Sequence, residues 1–218
     1  VIIFDCNGVL VDSEPIATAV VAAELQRIGI RIPAEMVARF FTGRRPADMF
    51  AAIETATGRA LPPRFADAVA EATLRRFRAE LRATPHVVHA LTWLRGTKCV
   101  ASSSSLDRVR VSLEATDLLR FFEPNLFSAS DVTEGKPAPD LFLHVCRVKG
   151  AEPKDCIVVE DSAAGIAAAA AAGMTPIGFV GGSHAAPQLG AQLVEAGARI
   201  VIADMRALKE TVIALRGW

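Results

Sequence analysis

Five short apolar runs rich in β-branched residues, alternating with amphipathic helical stretches, constrain the fold of this chain more than any other feature. The runs are 1–5, 98–102, about 125–128, 157–160 and 175–179, with 198–202 as a candidate edge strand. Helical periodicity falls between them, at 106–119, 140–149, 163–172 and 187–196. Strands that alternate with helices predict the α/β class, with a doubly wound, Rossmann-like parallel sheet. The stretch from 14 to 84 interrupts that alternation and holds only helical patterns. Ser13 is placed to cap the first of them, Pro15 suits its first turn, and Val21, Leu25 and Ile28 share one face before Gly29 ends it. Further helices are predicted over 34–41, 46–57 and 63–81. An inserted all-helical domain over 14–84 is therefore expected, with 1–13 and 85–218 forming the core.

The chain has 218 residues, 51% of them hydrophobic, which is enough for a full core. Its formal net charge is zero, so no global field recruits nucleic acid or an anionic membrane. An anion site must be local. The cysteines Cys6, Cys99, Cys146 and Cys156 are scattered, which favours reduced thiols and a reducing compartment. No apolar run approaches the ~20 residues of a membrane span. The first residue lies in a strand and is not methionine, so N-terminal trimming is expected. A monomer or weak homodimer in the cytoplasm is the expected form.

Four segments carry candidate chemistry. The first apolar run ends on Asp5, and Cys6, Asn7 and Gly8 follow. A strand that delivers a carboxylate to its C-terminal edge is how an open α/β sheet builds a reactive crevice. Such a carboxylate can attack phosphorus, and Gly8 lets the loop fold tightly around an anion. The second run ends on Ser102-Ser103-Ser104-Ser105. Ser102 and the amides after it can hold a phosphate, while Ser104 and Ser105 suit helix caps. Lys136 precedes Pro137-Ala138-Pro139, which fixes it as a positioned point charge. The fourth segment ends on Glu160-Asp161. Adjacent acids brought near Asp5 are costly unless a hard divalent cation joins them.

Together these segments resemble the motifs of the haloacid dehalogenase superfamily. Asp5-Cys6-Asn7-Gly8-Val9-Leu10-Val11-Asp12 is similar to motif I, which reads Asp-x-Asp-Gly-x-x-x-Asp/Thr in its phosphotransferases. Ser102 matches motif II. Lys136-Pro137-Ala138-Pro139-Asp140 matches motif III of the branch containing phosphoglycolate phosphatases and β-phosphoglucomutases. Glu160-Asp161 matches motif IV. The resemblance implies that 14–84 is a helical cap, hinged at 12–15 and 83–85. It implies a Mg2+-dependent phosphatase of small phosphorylated metabolites, sugar phosphates foremost, acting through an aspartyl-phosphate at Asp5. Mg2+ would be held by Asp5, the Asn7 carbonyl and Asp161, with Glu160 ligating or orienting water. Ser102 and Lys136 would hold the transferring phosphoryl group, and Gly8 and Ser103 would add backbone contacts to substrate. In the cap, Arg44 and Arg45 are candidates for the rest of the substrate, beside the reading of a solvated turn.

The departure is Asn7, where these enzymes carry the aspartate that protonates the leaving oxygen and then activates water. Losing general acid–base catalysis costs about 10²–10⁴ in rate. Three readings follow. Asn7 is an engineered block in an otherwise intact phosphatase, a natural variant with another reaction, or the mark of a non-catalytic binder of phosphorylated ligands. Retention of Lys136 and both acids favours the first. The family's Schiff-base hydrolases use a cap lysine, and 14–84 contains none. The metal-independent dehalogenases do not need the acid pair. Ala17 stands where β-phosphoglucomutases usually have histidine, which favours hydrolysis over mutase action. A receiver-type domain would lack the insertion. His86 and His89 are read as hinge or helix-surface residues and His184 as a loop residue.

Overall fold

A computed structural model describes residues 1–41 and 46–216. Its centre is a six-stranded, all-parallel sheet made of β1 (Ile2–Phe4), β2 (Lys98–Ser102), β3 (Leu126–Ser128), β4 (Ile157–Glu160), β5 (Thr175–Phe179) and β6 (Ile200–Ile202). The spatial order is β3-β2-β1-β4-β5-β6. The chain leaves β1 toward β2 and β3, then returns to β1's other side with β4. That reversal creates a crevice at the carboxyl end of β1, where α/β sheets bind ligands.

Between β1 and β2 lie α1 (Glu14–Arg27), α2 (Ala34–Phe41), α3 (Pro46–Thr57), α4 (Phe65–Glu80) and α5 (Val87–Trp93). After β2 come α6 (Leu106–Ala115), α7 (Asp140–Lys149), α8 (Ala163–Ala171), α9 (Leu189–Glu195) and α10 (Leu208–Arg216). Period-two alternation assigns the two faces of the sheet. Ile2 and Phe4 join Val100 and Val159 in a core with Leu91 of α5, Val109 and Leu113 of α6, and Leu208 and Val212 of α10. Ile3 faces the other way and joins Ala101 and Val158 with Leu141, Phe142 and Val145 of α7 and Ala168 and Ala169 of α8. Strands covered on both faces read as continuous apolar runs, which is why they were legible.

The helices of 14–80 pack their apolar residues, among them Leu25, Ile53, Phe65 and Phe77, onto the first of these cores. The chain leaves and re-enters the sheet region through paired backbone. Val11 bridges Ala83 in antiparallel fashion, Asp12 N–H donates to Arg82 O at 3.0 Å, and Thr84 N–H donates to Leu10 O at 2.9 Å.

Several boundaries differ from expectation. The helix expected over 106–119 stops at Ala115, because Thr116 turns its hydroxyl back to Ser112 O and Asp117 adopts a left-handed φ of 57°. The helix expected over 187–196 shortens to Leu189–Glu195, and the edge strand to Ile200–Ile202. The sequence reading did not place α5 or α10. The Ser13 side chain does not cap α1: its residue is already helical in φ and ψ, and the hydroxyl turns to Asn7. His86, with φ of 64°, precedes α5, and His89 lies within it.

Candidate active site

Asp5 follows β1 directly, and its N–H still donates to Val159 O at 3.0 Å, so the sheet fixes its backbone. Its carboxylate meets a lysine that arrives from the loop before α7. Lys136 Nζ donates to Asp5 Oδ1 at 2.7 Å, to Ala101 O at 3.0 Å and to Glu160 Oε1 at 2.5 Å. Those partners use all three ammonium protons. The Phe142 ring lies 5.2 Å from Nζ. The Lys136 side chain is only 4% exposed, so this is a buried charge held by full hydrogen bonding.

Glu160 ends β4 and is equally engaged. Its second oxygen accepts from Ser162 N–H and Ser162 Oγ, both at 2.9 Å. Ser162 in turn caps α8 by accepting from Gly165 N–H at 3.0 Å. A side chain at Gly165 would start 1.9 Å from Glu160 Oε1, so the helix passes this close only because it has glycine there. Glu160 therefore sits as the buried counter-ion of Lys136.

Asp161 lies across the crevice, where Oδ2 accepts from His184 Nε2 at 2.9 Å. His184 belongs to the loop after β5. Its neighbour Ser183 anchors that loop to motif I, donating to Asp12 Oδ1 from Oγ at 2.8 Å and from N–H at 3.2 Å. Gly8 has φ of 79°, and a Cβ there would stand 1.9 Å from Asp161 Oδ2 and 2.7 Å from His184 Cε1. The turn closes through Gly8 N–H to Val11 O and Val11 N–H to Cys6 O, which leaves the Asn7 carbonyl unused by it.

The Asn7 side chain is tethered at both ends. Nδ2 donates to Ser104 Oγ at 2.8 Å, and Oδ1 accepts from Ser13 Oγ at 3.2 Å. The serine run after β2 is pinned as well. Fully buried Ser102 accepts from Ser104 N–H at 3.1 Å, and Ser128 Oγ donates to Ser104 O at 2.8 Å. Ser103 is exposed beside it. Ser105 caps α6 as expected, whereas the Ser104 hydroxyl is spent on Asn7.

Asp5, Asn7, Gly8, Ser102, Lys136, Glu160 and Asp161 thus gather at one sheet edge. Arg44 and Arg45 lie outside the described residues. Sequence reasoning missed His184, and it read Ser13 and Ser104 as helix caps although their hydroxyls serve Asn7. Ser104 stood inside a run already singled out. His184 had only the preceding Gly181-Gly182 pair, near the end of a strand, as a signal.

The site holds more negative charge than positive. Burial, and then repulsion from Glu160 and Asp161, pushes Asp5 up to about 8 against the pull of Lys136. Burial also lifts Asp161 to about 6, although the His184 bond works the other way. Burial opposes the charge on Lys136, but Asp5 and Glu160 outweigh it and hold the ammonium protonated. His184 is raised, chiefly by its bond to Asp161. Among the described residues, no group of three or more His, Cys, Asp or Glu side chains is arranged as a ready metal cluster. The implied Mg2+ set asks for less, namely two carboxylates and a carbonyl. Asp5, Asp161 and the free Asn7 carbonyl match that all-oxygen set. Acids held partly neutral by burial and then by mutual repulsion are what a divalent cation would ionise.

A parallel α/β sheet with an acid at the end of its first strand and a lysine bridging two carboxylates defines a Rossmann-like hydrolase class. The model of haloacid dehalogenase-like hydrolases matches residues 1–173, and the chain belongs to that family. It is 30% identical over 187 residues to the 6-phosphogluconate phosphatase of Escherichia coli (strain K12), covering 85% of each chain. A conserved haloacid dehalogenase-like protein of unknown function from Agrobacterium tumefaciens shares the fold at TM-score 0.86 and 36% identity, over 99% of this chain and 98% of that one. A HAD family hydrolase from Deinococcus radiodurans, solved with bound phosphate and sodium, matches at TM-score 0.81 and 28% identity, over 99% and 95%.

Proposed function

We propose that this chain is a Mg2+-dependent phosphatase of small phosphorylated metabolites, sugar phosphates foremost, that works through an aspartyl-phosphate on Asp5 and is strongly impaired by Asn7. The supporting observation is the single lysine that spans Asp5 and Glu160 at 2.7 and 2.5 Å while Asp161 faces them across Gly8. Similarity to a 6-phosphogluconate phosphatase supports the substrate class.

In this reading the Asp5 carboxylate forms a bond to phosphorus as the ester P–O bond breaks. Lys136, by exchanging one of its present acceptors for a phosphoryl oxygen, and those amides of the Ser102–Ser105 turn not already bonded within it hold the phosphoryl oxygens. Asp5, Asp161 and the Asn7 carbonyl would hold Mg2+, which would supply positive charge for those oxygens. The departing alkoxide needs a proton, and the water that later hydrolyses the acyl phosphate must lose one. Asn7 sits where both transfers belong, and its amide can make neither. Residues 14–84 act as a cap over the crevice, hinged on the paired backbone at Val11 and Ala83.

The test is Asn7→Asp, assayed against a panel of phosphate esters with and without Mg2+. A gain of about 10²–10⁴ in kcat is expected. No gain across the panel counts against a disabled phosphatase. It would turn the assignment to the second reading, a phosphorylated-ligand binder. That reading draws on the two serine hydroxyls that accommodate the Asn7 amide.

A further inference from the structure

Among the described arginines, Arg108 alone has a buried guanidinium nitrogen without a hydrogen-bond partner. Arg27, Arg64, Arg76, Arg110, Arg120 and Arg206 each pair with a carboxylate. Arg108, in the first turn of α6, has no ion pair among the described residues, and its Nε is buried without a hydrogen-bond partner. Its guanidinium lies over the Phe77 ring of α4, 5.1 Å from the centroid, where α4 packs on α6. A guanidinium so placed has a desolvated Nε with no acceptor, which is costly unless a partner arrives.

Its surroundings tie it to the site. Two residues before it, α6 begins at the turn that holds Asn7 through Ser104. Burial pulls Arg108 downward, and the opposing charge comes from Glu14 in the first turn of α1. The same Glu14 acts on Asp161 and His184, so the guanidinium shares the electrostatic environment of the crevice. Burial and then Asp5 push the Cys6 thiol up, and Arg108 and Lys136 pull it the other way. Among the described residues, Lys136 is a buried cation engaged with the acids, and Arg108 is a half-buried one whose Nε has no partner.

We propose that Arg108 is a specificity residue that binds a second anionic group, a carboxylate or a second phosphate, on the phosphate ester held at Asp5. It rests on the phosphatase reading for the first phosphate. The planar fork of a guanidinium suits either group through two parallel hydrogen bonds, and its stacking on Phe77 fixes the plane beforehand. Esters with a neutral remainder leave that fork unpaired, so discrimination follows from the desolvated Nε itself.

Calorimetric binding to the full chain, with Mg2+ and slow turnover at Asn7, provides the test. The probes are 6-phosphogluconate (carboxylate), fructose 1,6-bisphosphate (second phosphate) and glucose 6-phosphate (neutral remainder). Arg108→Gln is expected to weaken whichever doubly anionic probe fits by about 10–100-fold and glucose 6-phosphate by less than about 3-fold. The probe that loses more names the second group. An equal loss for all three, or no loss, overturns the proposal and leaves Arg108 as packing against Phe77. Phenylglyoxal labelling of the unaltered chain, mapped by peptide mass, covers the case in which the variant fails to fold. Arg108 should be protected by the doubly anionic probe and not by glucose 6-phosphate, and equal protection by both is fatal. If the unaltered chain binds neither orthophosphate nor any probe, the phosphatase reading falls, and this one with it.

Discussion

The two ends of one sheet show how differently the same strands can be used. At the carboxyl end, Asp5, Ser102, Ser128, Glu160 and Asp161 are all buried, and each has a named hydrogen-bond partner. At the amino end, β5 and the turn before β6 border a hollow of about 360 Å³ lined by residues such as Met174, Thr175, Pro176, Arg199 and Leu215, with no acid in its wall. One end concentrates unfavourable charge and holds it through mutual pairing. The other closes the fold with ordinary surface chemistry. Stability and function are therefore separable along the strand direction, and substitutions at the two ends should behave differently.

The sharpest challenge to that contrast is Lys136→Met. It strips the counter-charge from Asp5 and Glu160, and a loss of about 3–5 kcal/mol in urea unfolding is expected, together with loss of phosphate binding. A change below about 1 kcal/mol would show that the buried network carries no strain. Gly8→Ala comes next. It forces a left-handed φ on a side chain and drives a methyl into Asp161, so a cost of about 1–3 kcal/mol is expected in the same assay. His184→Ala should weaken Mg2+ binding about 10–100-fold by freeing Asp161, with His184→Gln recovering part of it. Titration of Mg2+ followed by calorimetry reads this directly.

The pH dependence sharpens the contrast further. Asp5 at about 8 and Asp161 at about 6 lie above their ordinary value of 3.8. Between about pH 4 and pH 8 the folded chain therefore binds more protons than the unfolded one, and metal-free stability should fall as pH rises. His184 is also raised, so its favourable contribution is lost in the same direction. Thermal melts in EDTA should show a lower Tm at about pH 8 than at about pH 5, and Mg2+ should flatten the difference by favouring the ionised acids. The smallest effect belongs to the amino end. Arg199→Ala should stay within about 0.5 kcal/mol. A large loss there would break the contrast.

What the sequence made legible follows from the range of the physics involved. Strands buried on both faces announce themselves locally, so β1, β2, β4 and β5 could be read to within a residue or two. The acids at their ends were found because a strand's last residue sits where the crevice must be. Lys136 was legible through the prolines that stiffen its loop. Features set by contacts across the chain were not. Ser13 looked like a cap because capping is local, yet its hydroxyl answers to Asn7 across a tight turn. His184 meets Asp161 only because two separate loops fold over Gly8. The missed α5 and α10 are short and owe their stability to packing on the sheet.

The bridge between Val11 and Ala83, flanked by the hydrogen bonds Asp12–Arg82 and Thr84–Leu10, brings departure from and return to the sheet side by side. To the strands below, everything between those points is one long hairpin loop. Other helices, or none, can be spliced into that seam without rerouting β1 or β2. On the proposed reading of 14–84 as a cap, that seam would let recognition change while the reacting groups stay in place.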